Sequence, residues 1–199
     1  MRTDPDLRKH FFDKLAPTWE NSAKFKPEQQ RLARMIADFR IYPGDSVLDV
    51  GTGTGIALPA LVNAVGKTGR VTGLDVSEKM VTEARKIHHD VQVGDIRNPP
   101  FAAASFNLVL AFAVLPHLDD PGRFFMAVQR ILKPVGHLII LHFMSRVICN
   151  DFHRNAGTAV EHDLLPRPEE LDRLANSAGL TPVLFEETDD LFLWQAQKP

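Results

Sequence analysis

Short apolar runs alternate with amphipathic segments along most of this chain. Five of the runs read as strands, and the central ones are nearly all apolar, which is typical of parallel strands that are buried on both faces of a sheet. They predict strands over residues 46–51, 70–76, 90–94, 106–113 and 136–143. The segments between them carry apolar residues at helical spacing and predict helices near residues 55–65, 77–87 and 121–132.

The pattern changes toward the C-terminus. Helices are predicted over residues 145–156 and from Pro168 to Gly179, and two strand-like runs follow that are separated only by residues 188–190. So short a connection forces an antiparallel hairpin, because a parallel return needs a crossover of about a dozen residues. The chain therefore predicts an α/β fold with a doubly wound, mostly parallel seven-stranded sheet and an antiparallel closing hairpin.

Composition narrows the class of protein. The 199 residues are 44% hydrophobic and 24% charged, which is typical of a soluble globular protein, and the net charge of −2 gives no basic excess for nucleic acid. The longest apolar run, Leu108 to Leu115, is far shorter than the ~20 residues of a membrane helix. The single cysteine, Cys149, excludes an intramolecular disulfide, and the N-terminus shows no signal-peptide core. We expect a cytoplasmic protein without nucleic-acid or membrane partners.

A glycine-rich stretch, VLDVGTGTGI, directly follows the first predicted strand. Its glycines, Gly51, Gly53 and Gly55, have the spacing G-x-G-x-G. The dinucleotide fingerprint needs a glycine or alanine three residues after the second glycine, where Ile56 stands here. A Walker A loop would need a following Gly-Lys-Ser/Thr, which the sequence lacks. The loop therefore indicates a nucleotide-like ligand other than a dinucleotide or a nucleoside triphosphate.

Three acidic residues accompany the glycine loop. Asp75 ends the second predicted strand, 20 residues after Gly55, where a carboxylate can accept both ribose hydroxyls of an adenosine. Asp49 lies in the first strand, and Asp95 follows the third, where it could accept from an adenine amino group. Three acids around one pocket suit a cationic ligand better than a pyrophosphate.

The segments VLDVGTGTG, VTGLDVSEKM, VQVGDI, FNLVLAFAVLPHL and RILKPVGHLII, in this order, resemble the class I S-adenosylmethionine-dependent methyltransferases of the broad ubiquinone-biosynthesis-type (methyltransferase type 11) group. The resemblance covers about residues 10–143 closely, and the closing hairpin matches the family topology. It implies a Rossmann-like methyltransferase fold with S-adenosyl-L-methionine as cofactor. Two positions depart from the family pattern: Asn107 stands for a common aspartate, and Val135 stands for a second glycine. Both departures concern local turn geometry.

By resemblance, the glycine loop lies under the methionine part of the cofactor. The residues concerned are Gly51, Thr52 and Gly53, and Asp49 fixes the loop and the cofactor's amino group. Asp75 takes the ribose hydroxyls.

The resemblance also implies the residues around the base and the methionyl end. Val76 and Met80 lie against the adenine ring. Asp95 and Ile96 bind its edge, and Ala111 faces the methionyl end after the fourth strand.

Polar residues that follow the fourth and fifth predicted strands indicate a substrate side. His117 and His142 lie at those strand ends, where the crevice of such a sheet opens. In the predicted helix over 145–156, Arg146, Asn150 and His153 share one face. We predict these five residues to line the substrate pocket. The alternative is a solvated helix face, with the substrate site under the N-terminal segment instead.

The chemistry of the histidines has two interpretations. His117 or His153 could act as the catalytic base, since an imidazole has an unperturbed pKa of about 6.5. Alternatively His117, His142 and His153 could ligate a metal ion, because imidazole suits several transition metals. The sequence has no compact metal motif such as H-x-x-x-H, so we expect no metal and leave the catalytic residue unassigned.

These observations predict a single methyltransferase domain over residues 1–199 that acts on a small-molecule acceptor. In this prediction, residues 1–40 form an N-terminal helical lid in which Trp19 closes over the cofactor. Residues 41–143 form the cofactor-binding core, and residues 144–199 form the substrate-side helices and the hairpin. A homodimer is left open. The alternatives are a non-catalytic cofactor-binding or regulatory protein and an NAD-dependent oxidoreductase.

Overall fold

The computed structural model describes residues 5–157 and 159–199 of the chain, so the first four residues of the predicted lid lie outside the described part. The strands are β1 (Ser46–Val50), β2 (Arg70–Asp75), β3 (Val91–Val93), β4 (Phe106–Phe112), β5 (Leu132–His142), β6 (Thr181–Thr188) and β7 (Leu191–Gln197). The α-helices are α1 (Pro5–Leu15), α2 (Phe25–Asp38), α3 (Leu58–Val65), α4 (Glu78–Ala84), α5 (Pro121–Ile131), α6 (Arg146–Asn155) and α7 (Pro168–Ala178).

The seven strands form one sheet in the order β3-β2-β1-β4-β5-β7-β6. Every pair from β3 to β5 is parallel, and β7 runs antiparallel to both of its neighbours. The predicted doubly wound sheet with an antiparallel closing hairpin is confirmed. The strand order reverses between β1 and β4, so their carboxyl ends open a crevice at which ligands bind in folds of this kind. Within the described part of the chain, no helix is long and apolar enough to cross a membrane.

Local capping explains where several helices begin and end. The side chains of Ser77, Asp120 and Ser145 accept hydrogen bonds from the backbone N–H groups three residues on, at the starts of α4, α5 and α6. Each of them thereby satisfies a helical N–H that has no partner within the helix. Gly179 ends α7 in the left-handed conformation, with φ of 82°. These caps are short-range signals and are visible in the sequence.

Both faces of the sheet are covered by apolar side chains. On one face, α5 and α7 bury Phe124, Phe125 and Leu171 against Trp194 of β7. The rings of Phe125 and Trp194 meet edge to face with centroids 5.7 Å apart. On the other face, α2 and α3 cover the sheet through a second buried cluster. This packing leaves the carboxyl edge of the parallel strands as the place where polar residues gather.

Some predicted boundaries were wrong. The helix predicted from residue 55 begins at Leu58, because Gly55 has a φ of 96° that no right-handed helix allows. The helix predicted over residues 77–87 is α4, which ends at Ala84. The fifth strand begins at Leu132 rather than at residue 136.

The early start of β5 reflects an irregularity between β4 and β5. The pairing jumps from Phe106–Leu132 to Leu108–His137, so β5 carries extra residues there. Asn107 lies at the jump, and its side-chain oxygen accepts from the backbone N–H of Ser46 at 2.9 Å and from Lys133 Nζ at 2.8 Å. Val135 lies in the extra segment. Both departures from the family pattern therefore fall in one local distortion.

Replacing Val135 by glycine is expected to stabilise the protein. Val135 has a φ of 57°, a conformation that is costly for a β-branched residue, and its side chain is 67% exposed. Glycine adopts this conformation without strain, but it also has more conformational freedom in the unfolded chain, which opposes part of the gain. We therefore expect Val135→Gly to raise the unfolding free energy by a net of about 0.5–1 kcal/mol. Thermal unfolding measures the change. Val135→Ala keeps the strained backbone and serves as the control; an equal gain in that variant would contradict the explanation.

Candidate active site

The glycine loop between β1 and α3 combines close packing with one open position. Gly51, Gly53 and Gly55 all have positive φ, at 64°, 56° and 96°. A Cβ atom at Gly51 would lie 2.3 Å from Val114, and one at Gly55 would lie 2.9 Å from Leu58. A Cβ atom at Gly53 would meet nothing nearer than 4.0 Å. The outer glycines therefore allow packing within the protein, whereas the middle glycine borders open space in which a ligand fits.

Asp49 lies beneath this loop and is almost fully buried. One of its carboxylate oxygens accepts from the Thr52 hydroxyl at 2.6 Å. Burial raises the pKa of Asp49 to about 7; the hydrogen bond from Thr52 opposes the shift, and the nearby Asp75 carboxylate adds to it. Asp49 is therefore poised to change charge near neutral pH, and a cation beside it would favour the ionised form.

Asp75, at the end of β2, connects the loop to the start of α4. Its carboxylate accepts from the backbone N–H of Gly53 and from that of Ser77, each at 2.9 Å. Burial raises its pKa above the ordinary value, although these two backbone donors lower it. The side chain thus has a structural role in shaping the loop in addition to the ribose contact predicted for it.

Asp95, after β3, has a partner that the sequence did not reveal. Arg97 donates to its carboxylate from Nε at 3.0 and 2.9 Å and from Nη2 at 2.6 Å. Burial alone would raise the pKa of Asp95, but these hydrogen bonds outweigh it and hold the pKa below its usual value. The other end of the guanidinium, Nη1, lies 3.1 Å from Asp119. The predicted adenine contact of Asp95 must therefore form on a carboxylate that already pairs with arginine.

The other predicted cofactor residues also gather at the carboxyl ends of the strands. Met80 and Ile96 are buried after β2 and β3, and Ala111 is buried near the end of β4. Val76 is 47% exposed. Trp19 lies apart from them in sequence, in a 3₁₀ helix over Ala16–Asn21 that follows α1. Their direct contacts with the cofactor stay predictions.

Two of the predicted histidines are held next to each other by one aspartate. The rings of His117 and His153 have centroids 5.0 Å apart. Nδ1 of His117 lies 2.7 Å from a carboxylate oxygen of Asp163, and Nδ1 of His153 lies 2.6 Å from the backbone carbonyl oxygen of the same residue. Carboxylate and carbonyl oxygens accept, so Nδ1 carries the proton in both rings. In the neutral form of such a ring, Nε2 is then a lone-pair acceptor.

His142, the last residue of β5, adds an unsatisfied polar atom. It is 4% exposed, and its Nε2 is buried without a hydrogen-bond partner among the described residues. Burial lowers the pKa of His142 to about 3, and repulsion from His117 and His153 acts in the same direction. This imidazole is therefore neutral at physiological pH. Leaving such an atom unpaired costs about 1–3 kcal/mol, which a hydrogen bond from a bound ligand would offset.

The face of α6 that was predicted to line the substrate pocket points inward. Asn150 and His153 are buried, whereas Val147, Ile148 and Phe152 are exposed, so the alternative of a solvated polar face is wrong. Asn150, however, uses its amide on the backbone of Leu165: its oxygen accepts at 2.7 Å, and its nitrogen donates at 3.2 Å. Asn150 therefore holds the segment after α6, and its contact with an acceptor stays a prediction.

Arg146, the remaining predicted pocket residue, lies at the start of α6. It is half-buried, and its backbone N–H donates to Glu187 of β6 at 2.6 Å. In the described ranges 5–157 and 159–199, no group of three or more His, Cys, Asp or Glu side chains is arranged to hold a metal ion. The alternative metal site of His117, His142 and His153 is not formed.

Three residues that sequence analysis missed complete the site: Arg8, Asp119 and Asp163. Arg8, in α1, is 7% exposed and donates to both carboxylate oxygens of Asp163 at 2.7 Å and to Asp119 at 2.8 Å. One turn further along α1, the ring of Phe12 packs edge-on against His117 at 5.0 Å and against Trp19 at 6.1 Å. No local pattern pairs residues that lie more than 100 positions apart, so the sequence offered no signal for them.

Two further concavities lie away from this site. One of about 370 Å³ lies beside Arg40 and His137, and one of about 490 Å³ lies on the outer face of α6 beside Phe152. Neither is lined by a residue of the glycine loop or of the histidine cluster.

Comparison with known proteins agrees with this geometry. Residues 48–140 match the family model described as a methyltransferase domain. The chain is 32% identical over 201 residues to a ubiquinone biosynthesis O-methyltransferase of Thiobacillus denitrificans, covering 90% of this chain and 82% of the relative. It is 37% identical over 103 residues to an uncharacterized 37.1 kDa protein in transposon TN4556 of Streptomyces fradiae, which covers 49% of this chain but only 30% of that relative's length. The structure of a SAM-dependent methyltransferase from Aquifex aeolicus superposes with a TM-score of 0.70 at 25% identity, over the full length of both chains.

The chain belongs to the class I S-adenosylmethionine-dependent methyltransferases. The family and fold imply S-adenosyl-L-methionine as the cofactor, and the residues present fit it. Open space borders Gly53, and the carboxylates of the buried Asp49 and the partly buried Asp75 lie beside the loop. Among the described residues neither carboxylate forms an ion pair, so both can complement a positively charged ligand. The prediction of the family and of its cofactor is confirmed.

Cofactor binding is expected to depend on pH through Asp49. The pKa of Asp49 is raised to about 7 in the folded protein, so the unliganded protein loses stability as the pH rises toward 7 and Asp49 ionises. A bound cation beside the carboxylate offsets this loss. The amino group of S-adenosylhomocysteine supplies such a cation. We expect its affinity to rise about tenfold from pH 6 to pH 8, with proton release on binding near neutral pH.

Titration calorimetry in buffers of different ionisation enthalpy measures both the affinity and the proton release. In Asp49→Asn, binding should weaken and the pH dependence should disappear. Asp38→Asn removes an exposed carboxylate at the end of α2 and should leave the pH profile unchanged. Wild-type pH dependence in Asp49→Asn would contradict the assignment.

Proposed function

We propose that this protein transfers a methyl group from S-adenosyl-L-methionine to a hydroxyl oxygen of a small-molecule acceptor. The observation that carries the proposal is the hydrogen-bonded pair of His117 and Asp163, which lies beneath α1 next to the unpaired Nε2 of His142. The Thiobacillus denitrificans relative is named as an O-methyltransferase, which supports oxygen as the accepting atom.

The pair fits the proton chemistry of such a transfer. The bound cofactor supplies a methyl group on a positively charged sulfur. A hydroxyl is a weak nucleophile until its proton is removed, and Nε2 of His117 is a lone-pair acceptor that can take it. The proton that the hydroxyl loses on methylation would pass to Nε2 of His117, and the methyl group would take its place on the oxygen. Asp163 keeps the ring in one tautomer and stabilises the imidazolium that results.

The remaining histidines are assigned to orienting the acceptor. His142 stays neutral, so it provides a hydrogen-bonding atom without adding a second positive charge beside the cationic cofactor. The pKa of His153 is also lowered, by burial first and then by repulsion from His117. His117 is thus the member of the cluster with a carboxylate partner to support a positive charge, and we assign the role of base to it rather than to His153.

A small acceptor fits the surroundings of the site. Helix α1 covers it through Arg8 and Phe12, and α6 closes the side next to β5. The net charge of −2 leaves no general basic surface for a nucleic-acid substrate. Convergent polar groups beside apolar side chains are typical of small-molecule sites.

On the cofactor side, we assign Asp75 to the ribose hydroxyls. We expect Asp75→Ala to weaken binding of S-adenosylhomocysteine by about ten- to a hundredfold, since a lost charge-assisted hydrogen bond costs roughly 1.5–3 kcal/mol. Calorimetry measures the change. Thermal unfolding of the unliganded variant accounts for the hydrogen bonds that Asp75 makes to the loop. An unchanged dissociation constant would rule out the assignment.

Replacing His117 tests the proposed base. In His117→Asn we expect kcat for methyl transfer to a hydroxyl acceptor to fall by about 10²–10⁴-fold, because the proton has no acceptor in the closed site. Transfer of labelled methyl to a panel of phenols, alcohols, amines and thiols measures the rate and identifies the accepting atom. Binding of S-adenosylhomocysteine should be unchanged.

The matched control is His162→Asn, which alters a histidine that is 47% exposed near the same segment. It should keep wild-type turnover. Full activity of His117→Asn on the true acceptor would exclude His117 as the base. If no acceptor is methylated although the cofactor binds, the non-catalytic alternative would be favoured.

A further inference from the structure

We infer that Arg8 is a positioning residue that ties helix α1 to the His117–Asp163 pair, so that the pair is aligned only while α1 is docked. The inference rests on the proposed function, in which His117 is the base. It is carried by three hydrogen bonds from one buried guanidinium, two to Asp163 at 2.7 Å and one to Asp119 at 2.8 Å.

The contact between Arg8 and Asp163 is the bidentate kind that fixes geometry. A guanidinium presents its donors in a rigid plane, so two parallel bonds set the orientation of the carboxylate as well as its place. The oxygen that accepts from Nε of Arg8 is the same one that lies 2.7 Å from Nδ1 of His117. The direction from which His117 is held is therefore set by the arginine.

Helix α1 also contacts the histidine directly. Phe12 follows Arg8 by four residues, which places both side chains on one face of the helix. The Phe12 ring meets the His117 ring edge-on at 5.0 Å. One face of α1 thus touches the aspartate through a charge and the imidazole through an aromatic contact.

Burial makes the arrangement dependent on the arginine. Asp163 is 3% exposed. Burial alone would raise its pKa, and the donors of His117 and Arg8 together hold the pKa below the ordinary value. If α1 leaves, His117 is the side-chain donor that Asp163 keeps among the described residues, and water enters to solvate the carboxylate. The histidine then loses its single fixed orientation.

The direct test replaces Arg8 by glutamine, with Lys14→Gln as the matched control. Lys14 is exposed on the same helix, so this control removes the same charge without touching the pair. Nitrogen NMR of the cofactor-free protein should show His117 as a single Nδ1–H tautomer in the wild type and in Lys14→Gln, and as a tautomer mixture in Arg8→Gln. Limited chymotrypsin digestion at Phe11 and Phe12 should become about tenfold or more faster only in Arg8→Gln, as the loss of charge-assisted hydrogen bonds predicts.

Turnover gives a second readout. In Arg8→Gln, kcat should fall about tenfold or more while KM for the acceptor changes less, because the lost bonds align the base rather than hold the substrate. Arg8→Lys restores the charge without the planar pair of donors and should recover only part of kcat. A wild-type tautomer signal and wild-type proteolysis in Arg8→Gln would overturn the inference.

Two variants keep the test decisive if Arg8→Gln does not fold. Arg8→Lys and Asp119→Asn each retain a hydrogen bond to Asp163 and weaken the docking of α1, so both should be digested severalfold faster than the wild type. Wild-type digestion in both variants would overturn the inference. The result is separable from the proposed function: a changed tautomer in Arg8→Gln with full activity of His117→Asn would exclude His117 as the base and leave the docking role of Arg8 intact.

Discussion

A carboxylate that is taken out of water needs either hydrogen-bond donors or a proton, and the active site of this protein is built on that constraint. Asp163 satisfies it most completely, with Arg8 and His117 as donors to its carboxylate. Its backbone carbonyl also holds His153. The N-terminal helix, the turn after β4 and the segment after α6 meet at this one side chain. Their mutual arrangement follows from keeping its charge satisfied.

Buried polar groups with few or no hydrogen-bond partners indicate instead where a ligand would bind. Asp49 has one hydroxyl donor and a raised pKa, and Nε2 of His142 has no partner among the described residues. Each costs the unliganded protein some stability, and each lies at the carboxyl edge of the parallel strands. The satisfied groups set the architecture of the site, whereas the unsatisfied ones mark where a cation and a hydrogen-bonding acceptor would compensate them.

The fold alone does not specify the acceptor. A doubly wound sheet offers the same crevice at its switch point to many cofactors and substrates, so function must be argued from the side chains placed there. Here the glycine loop and its acids are short-range features of β1, β2 and the turns that follow them. The proposed acceptor side is assembled from α1, the turn at His117, β5 and α6, which come from distant parts of the chain. Conservation of the fold is therefore compatible with wide variation in the acceptor.

The sequence by itself determined the elements and their class. Apolar runs, helical spacing, cap residues such as Ser77 and Asp120, and the short connection at residues 188–190 are local signals. They were sufficient for the seven-stranded sheet and its hairpin. The cofactor family followed from the resemblance of five ordered segments, which include Gly51, Gly53 and Gly55 and the acids at the ends of the strands. These features depend on a few neighbouring residues, so they can be recognised without the fold.

Only the tertiary structure decided how the site is held together. Arg8 and Asp163 are 155 positions apart, and no periodicity connects them. Asn150 lies on the predicted inward face of α6, and its amide holds the backbone of Leu165 across 15 positions, a contact that the helical spacing did not indicate. The extra residues around Val135 depend on how β5 pairs with β4. Each of these outcomes depends on which distant groups come into contact when the chain packs, and on which charges become buried. The order of residues along the chain does not show either of them.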